Sequence, residues 1–315
     1  MRNLRRYAIF AVKAVVSGLL ILYLLDRVGS DRLRGTLQAP SWTALAAATT
    51  LLAVYFTMSG LRWLVILRGL NHRAAPGDIL RISFVAQFFS QFLPSSVGTD
   101  ALRMWQSVGL GLPLSASVSS VLLERLTNLA GVGVLTGFLF PLRFGAYFPG
   151  IYTYAGLSIG VLSLLLVLLP VFVNRLVAPA VPRWLGTLAL ATDARRLLAD
   201  SQCIALLIGG MLSGVSTFAA TLFVLGPDYG VAAGPLDCLA IGAVTLLVGA
   251  VPISIAGWGV RELALVEIYS RLGMNGANAL RLSVAVGLLS VVASLPGAIV
   301  WLTVRRRKGG TQRAA

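Results

Sequence analysis

Charged residues are scarce in this chain, and histidine and cysteine are nearly absent. Asp, Glu, Lys and Arg together make up 12% of its 315 residues, His72 is the single histidine, and Cys203 and Cys238 are the two cysteines. Two cysteines provide neither a disulfide framework nor a metal-ligand spacing. A lone histidine beside two arginines in a polar loop indicates a solvated residue rather than a ligand or a base. We therefore expect no metal and no cofactor.

Signatures of catalysis are missing as well. The chain contains no His-Glu-x-x-His, no Gly-x-Ser-x-Gly, no Asp-rich metal or diphosphate cluster and no phosphate-binding loop. Asp100, Glu124 and Glu262 are the carboxylates inside apolar segments that could do acid–base work or carry protons. We expect a protein that is not an enzyme and has no catalytic residues.

What the chain does have is apolar sequence. It is 57% hydrophobic with a mean hydropathy of +0.86, which predicts an all-α polytopic membrane protein. The formal net charge is +15, but almost all Lys and Arg residues lie in short loops and tails. That distribution indicates topology signals and contact with anionic lipid headgroups, and it argues against nucleic-acid binding.

Six apolar segments are long enough to cross a bilayer core of about 30 Å. They are 8–25, 42–67, 113–140, 151–173, 203–225 and 278–303. The first resembles a signal peptide, but it is interrupted by Lys13 and no small-x-small cleavage site follows it. We therefore interpret it as a retained transmembrane helix.

Two further apolar segments, 79–110 and 237–272, are interrupted by similar Pro/Ser/Gly phrases. In each, a Pro is followed two residues later by Ser and nine residues later by Arg, namely Pro94, Ser96 and Arg103, then Pro252, Ser254 and Arg261. Unwound backbone at membrane depth is tolerated where protein or a water-filled cavity covers it. A re-entrant hairpin explains each segment, and two tight spanning helices per segment are the alternative.

The re-entrant interpretation predicts the membrane orientation from charge. The regions 1–7, 68–81, 174–202 and 304–315 would lie inside and hold fifteen Lys and Arg residues, whereas the outer loops 26–41, 141–150 and 226–236 hold four. This positive-inside asymmetry places both termini in the cytoplasm of a multi-pass protein, which we assign to a bacterial inner membrane. Loop 26–41, with three arginines, fits least well.

The order of segments predicts an inverted repeat within a single membrane domain, 1–315. Unit A (42–140) and unit B (203–303) each contain a span, a broken segment and a span, and one linking helix, 151–173, separates them. An odd number of crossings between the units inverts the second relative to the first. The two unwound turns would then meet near the midplane, where secondary transporters with such repeats bind their substrates.

Seven basic residues fall inside the apolar or broken segments. Lys13, Arg62 and Arg271 lie near segment ends, so we expect them to extend to the interface. Arg281 lies in the last span.

The other three, Arg103, Arg125 and Arg261, have acidic neighbours. Asp100 and Arg103 are three residues apart and are predicted to pair on one helix face. The adjacent pairs Glu124–Arg125 and Arg261–Glu262 point about a hundred degrees apart in a helix of 3.6 residues per turn, so we expect their partners elsewhere, across the repeat interface.

These groups either clamp the broken helices together or line a cavity that binds an anion. Arginine suits phosphate because its planar fork donates two hydrogen bonds, and helix N-termini after the turns add N–H donors. The serines of the turns would donate to the substrate or cap unwound backbone. The predicted substrate-binding residues are Arg103, Arg261, Asp100, Glu262, Glu124, Arg125, Ser95, Ser96, Ser254 and Gln91.

Three stretches carry a resemblance to a known family. Phe-Leu-Pro-Ser-Ser-Val-Gly-Thr-Asp-Ala-Leu-Arg (92–103), Ser-Val-Leu-Leu-Glu-Arg-Leu (120–126) and Pro-Ile-Ser-Ile-Ala-Gly-Trp-Gly-Val-Arg-Glu (252–262) resemble the membrane-region signatures of the lysylphosphatidylglycerol synthase/flippase family. Several members have Gly where this chain has Thr99. In the best-understood members the membrane region moves an aminoacylated phospholipid, which a soluble domain makes. We expect no synthase domain here.

The resemblance implies a lipid flippase that moves an anionic or aminoacylated phospholipid, or a related glycolipid or isoprenoid lipid, through a polar cavity between the broken helices. Two alternatives stay open: a membrane-embedded transferase acting on a lipid, and a non-catalytic partner of a lipid-synthesis complex. The expected partners are lipids with anionic headgroups. A separate lipid-synthesis enzyme and a second copy of the chain are further candidates.

Overall fold

The protein is a bundle of α-helices in a computed structural model that describes residues 40–93, 96–176, 187–250 and 257–311. Side chains are described in 40–93, 98–165, 190, 192–194, 196–250 and 257–303. The helices are α1 Trp42–Gly69, α2 Pro76–Ser90, α3 Ser96–Val108, α4 Leu114–Phe144, α5 Gly150–Leu176, α6 Thr187–Ala199, α7 Ser201–Leu225, α8 Pro235–Ala250, α9 Val260–Arg271 and α10 Gly276–Thr311. A 3₁₀ turn, Pro227–Tyr229, follows α7.

Four described helices are long and apolar enough to cross a membrane, which makes this a multi-pass membrane protein. They are Trp42–Gly69, Leu114–Phe144, Ser201–Leu225 and the Gly276–Thr303 part of α10. All four coincide with predicted spans. The predicted linking helix corresponds to α5, whose described apolar part is Gly150–Leu165. The predicted first span, 8–25, lies outside the described residues.

Both broken segments consist of two short helices. In the first, α2 has 15 residues and α3 has 13, and in the second, α8 has 16 and α9 has 12. At 1.5 Å per residue each is about 18–24 Å long, which is less than the apolar thickness of a bilayer. Residues 94–95 and 251–256, between the two helices of each segment, lie outside the described residues.

The helix ends are set by local signals that also tie distant parts together. Ser41 caps α1 by accepting a hydrogen bond from the Ala44 N–H, while its own N–H and hydroxyl both donate to Asp228, at 2.8 and 2.9 Å. Pro76 occupies the first turn of α2, where its missing N–H costs nothing. Gly259, at φ 90°, precedes α9 in a conformation that favours glycine.

Several helix pairs bring the first and second halves of the chain together. α1 packs on α7, α2 packs on α10, and α8 packs on both α4 and α7. The largest apolar core, which includes Phe56, Phe140, Phe218 and Ile241, therefore draws from both halves. Helix α2 of the first broken segment therefore lies against α10, and helix α8 of the second broken segment lies against α4.

One helix was not predicted. The region 174–202 was interpreted as an inner loop, but α6, Thr187–Ala199, lies within it. Ala194 and Leu197 are buried against the end of α1, and the rest of this short helix is mixed in polarity. A search for long apolar runs misses a helix that buries only one narrow face.

Candidate functional site

A cavity of about 310 Å³ lies between the two broken segments. Side chains from both halves line it, and those of the first half are more polar. The lining residues are Leu52, Tyr55, Phe56, Ser59, Arg62, Gln87, Ser90, Gln91, Thr99, Asp100, Arg103, Glu124, Arg125, Asn128, Leu129, Phe218, Thr245, Leu246, Gly249, Ala250, Gly257, Arg261 and Ser290. Six of these are charged residue types, in a chain where charge is scarce.

Glu124 is the centre of the charge network. One carboxylate oxygen accepts from Arg62 at 3.3 Å and the other accepts from Arg103 at 3.1 Å. All three side chains are at least nine-tenths buried, so the interactions are poorly screened by water. A single carboxylate thus links α1, α3 and α4 and neutralises one of the two guanidinium charges.

Arg62 corrects a sequence prediction. We expected it to extend to the interface, but it is 5% exposed and turned into the protein. Its Nη1 donates to the Gly210 carbonyl at 3.3 Å. A Cβ at Gly210 would lie 2.8 Å from the Arg62 Cγ, and one at Gly214 would lie 2.9 Å from Nη1, so two glycines of α7 form the notch that holds it. This contact joins the two halves.

Asp100 forms its ion pair with Arg125 of α4, which lies 25 positions along the chain. The predicted pair of Asp100 with Arg103 on one helix face is therefore wrong. Both side chains instead extend from α3 to α4. There Asp100 pairs with Arg125, and Arg103 pairs with Glu124. The expectation that Glu124 and Arg125 do not satisfy each other is confirmed, but their partners lie in the same half, not across the repeat interface.

Arg261 and Glu262 pair with each other, contrary to prediction. Nε and Nη2 of Arg261 donate to one Glu262 oxygen at 3.1 and 2.6 Å, and Ser283 donates to that oxygen at 3.1 Å. The other oxygen accepts from the Gly259 N–H at 2.6 Å. Because Glu262 turns back to cap the first turn of α9, the long Arg261 side chain can reach it around the helix end.

Each of two cavity arginines also lies over a tryptophan. The guanidinium of Arg103 is 4.7 Å from the centroid of the Trp63 ring, and that of Arg261 is 4.9 Å from Trp258. Trp63 is fully buried and donates to Ser120 at 3.1 Å. The rings fix the orientation of the two cations through cation–π attraction.

The predicted site residues meet at the cavity only in part. Arg103, Arg125, Arg261, Asp100, Glu124 and Gln91 line it, and Glu262 lies directly behind Arg261. Ser95 and Ser254 lie outside the described residues, and Ser96 begins α3 with its side chain undescribed. Sequence reasoning missed Arg62, Tyr55, Ser59, Asn128 and Thr245 as lining residues. For Asn128 the signal was available, because it lies one helical turn after Glu124.

Two buried polar atoms beside the cavity have no hydrogen-bond partner in the structure. They are Nε of Arg62 and the hydroxyl of Thr99. Buried donors of this kind are normally satisfied, so their position beside an open cavity indicates room for a polar ligand or water. In the described part of the chain, no three metal-ligating side chains come together.

Nearly the whole chain matches one known protein family. A family model described as the lysylphosphatidylglycerol synthase TM region matches residues 10–297. The chain belongs to this family. The match confirms the resemblance carried by the three sequence stretches and supports a membrane function related to lipids. No curated protein matches the chain.

Proposed function

We propose that this member of the lysylphosphatidylglycerol synthase TM region family is a lipid flippase, and that it moves an anionic or aminoacylated phospholipid across the membrane. The observation that carries the proposal is the cavity between the broken segments, where four arginines converge. A lipid headgroup crosses hydrocarbon slowly because its charge must be dehydrated, and a polar cavity removes that cost. The apolar tails stay in the surrounding lipid.

The packing supports the proposed inverted repeat. If α1–α4 form unit A and α7–α10 form unit B, then α1 corresponds to α7, α2 to α8 and α4 to α10. Under this correspondence the contact of α2 with α10 is equivalent to that of α8 with α4, and the contact of α1 with α7 is equivalent to itself. Both contacts occur, as such a repeat requires. With both termini in the cytoplasm, each short helical pair would enter from one side and return to it, so that the cavity lies between two half-length hairpins.

The proposal gives Arg103 and Arg261 the task of binding phosphate. They come from opposite broken segments, both line the cavity, and each is fixed by a tryptophan. Arg261 also lies in the first turn of α9, and Thr99 and Asp100 lie near the start of α3. The positive ends of these two helices favour a negatively charged headgroup at the same place.

The proposal assigns no chemical step to the carboxylates. Glu124 accepts from two arginines, Asp100 from Arg125, and Glu262 from Arg261. Their role in the proposal is to hold the arginines in place.

The test is reconstitution of the purified protein in liposomes, with fluorescent lipid movement followed by dithionite quenching. The panel contains phosphatidylglycerol, an aminoacylated form and an isoprenoid phosphate. Movement should fall roughly tenfold or more in Arg103→Gln and in Arg261→Gln, because a hydrogen bond to a charged group contributes about 1.5–3 kcal/mol. Gln keeps much of the side-chain volume and hydrogen-bonding capacity.

The matched control is Arg81→Gln. Arg81 is a partly exposed arginine paired with Asp78 at 3.5 Å, and it does not line the cavity. It should transport at the wild-type rate. If folded wild-type protein moves none of the lipids, transport is refuted for this panel. If both cavity variants transport normally, the cavity is not the route.

A further inference from the structure

The charges around the cavity do not balance. Four arginines line it, namely Arg62, Arg103, Arg125 and Arg261. They are matched by three carboxylates, those of Asp100, Glu124 and Glu262. Residues 94–95 and 251–256 of the two broken segments, which lie outside the described residues, contain no ionisable side chain. Among the described groups, the site therefore carries one uncompensated positive charge.

The surplus can be located from the pairing. Arg125 has Asp100, and Arg261 has Glu262, so each of these pairs is neutral. Arg62 and Arg103 share Glu124 alone. The Nε of Arg62 has no partner, which leaves a buried donor on the same group. An uncompensated charge away from water is costly, so this part of the cavity favours a ligand that supplies one negative charge.

We propose that the cavity selects lipids whose headgroup has a net charge of minus one, and that it prefers a plain anionic phosphodiester to an aminoacylated one. This deepens the proposed function and rests on it for the claim that the ligand is a lipid. A phosphodiester monoanion neutralises the Arg62–Glu124–Arg103 cluster. A zwitterionic headgroup leaves the surplus unchanged, and a lysylated headgroup, with two ammonium groups and one phosphate, adds to it.

The neutral residues of the cavity fit such a headgroup. Ser59, Gln87 and Asn128 add polar groups to the lining of the same cavity, and they are suited to hydroxyls such as those of a glycerol headgroup. The carboxylates that would receive an ammonium group are already held by arginines. A cationic headgroup would have to displace one of these arginines.

The experiment measures binding and movement separately. Phosphatidylglycerol, phosphatidylethanolamine and lysylphosphatidylglycerol are incorporated at equal mole fraction into neutral detergent micelles for binding, and into neutral liposomes for movement. We expect phosphatidylglycerol to bind at least tenfold more tightly than the lysylated lipid. A water-soluble glycerophosphodiester serves as competitor and separates a lipid ligand from a free anion.

Asn128→Asp tests the charge itself. This substitution preserves shape, adds one negative charge to the cavity wall and cancels the surplus, so the preference for phosphatidylglycerol should fall below about threefold. Gln87→Glu makes the same charge change from α2 and provides a second variant if the first fails to fold. Asn71→Asp is the matched control. Asn71 lies in an exposed loop at φ 62°, which Asp also tolerates.

The outcomes separate the two proposals. Lipid movement with equal rates for the three headgroups would overturn the charge selection and leave the flippase intact. Binding selectivity that Asn128→Asp abolishes, without movement of any lipid, would support the selection and refute transport. Preference for the lysylated lipid, or an equal effect of Asn71→Asp, would overturn the inference. Full competition by the soluble diester would support the charge selection and reassign the occupant to a free anion.

Discussion

The two broken segments resemble each other in sequence but hold their charges in different ways. Around α2–α3, ion pairs link separate helices, because Glu124 of α4 binds Arg62 of α1 and Arg103 of α3. Around α8–α9, Arg261 pairs with its neighbour Glu262, and the carboxylate also caps its own helix. The first arrangement depends on how three helices are placed, whereas the second is largely complete within one helical turn.

This difference bears on the proposed function. A network that spans α1, α3 and α4 changes whenever these helices move relative to one another, so in the proposed transport the first side would be the one that responds to movement. The pair on α9 would move as a unit, and Ser283 of α10 donates to its carboxylate. The predictions below test this contrast, from the largest expected effect to the smallest.

Glu124→Gln should destabilise the protein more than Glu262→Gln. The first substitution leaves two buried guanidinium groups without a carboxylate, which costs about 3–5 kcal/mol. Glu262→Gln keeps an acceptor for the Gly259 N–H and leaves one guanidinium group, not two, without a carboxylate, so we expect about 1–3 kcal/mol. Unfolding in mixed detergent–SDS micelles measures both. Equal losses would mean that the second pair is as dependent on its surroundings as the first.

Gly210→Ala should disturb the notch that holds Arg62. The new Cβ would lie 2.8 Å from the Arg62 Cγ, so the side chain must leave the position from which it donates to Glu124, at a cost of about 1–3 kcal/mol. Gly209→Ala is the matched control on the same helix, because nothing lies within 4 Å of its Cβ. That variant should be neutral or more stable by up to about 1 kcal/mol. Thermal unfolding in detergent distinguishes them, and similar shifts would argue against the notch.

Trp63→Phe should cost about 1–2 kcal/mol. Phe keeps an aromatic face under Arg103 but cannot donate to Ser120, which loses a buried hydrogen bond. Trp258→Phe, on the other side, removes part of the face below Arg261, and we expect less than about 1 kcal/mol. Both values come from the unfolding assay described above. A larger loss for Trp258→Phe would reverse the contrast.

Arg143→Gln should have the smallest effect. The Arg143–Asp237 ion pair, at 2.8 Å, is partly exposed and distant from the charge network. Exposed pairs contribute little, because water and salt screen them. We expect no change in melting temperature or lipid movement. A clear loss would show that contacts outside the cavity also control how the two halves fit together.

Much of the helical architecture was predictable because its signals are local. Apolar length identifies α1, α4, α7 and α10, and the Pro/Ser/Gly phrases locate the interruptions in the two broken segments. Arg103, Arg125 and Arg261 stood out because charge inside an apolar segment is costly and needs a reason. Ser59 and Tyr55 did not, because single polar or aromatic residues on a long helix are common.

The sequence by itself determined that this chain enters the membrane, where its helices are interrupted and that Arg103, Arg125 and Arg261 need partners inside the protein, because each follows from the free energy of placing residues in hydrocarbon. The tertiary structure decided which charges meet. Arg62 and Glu124 are 62 positions apart, and they contact because α1 packs beside α4. In the same way, Asp100 pairs with Arg125 of the neighbouring helix α4 and not with Arg103 of its own helix. A side chain between packed helices pairs with the group that the packing of those helices brings near. The spacing of residues along one helix does not specify how that helix packs against its neighbours.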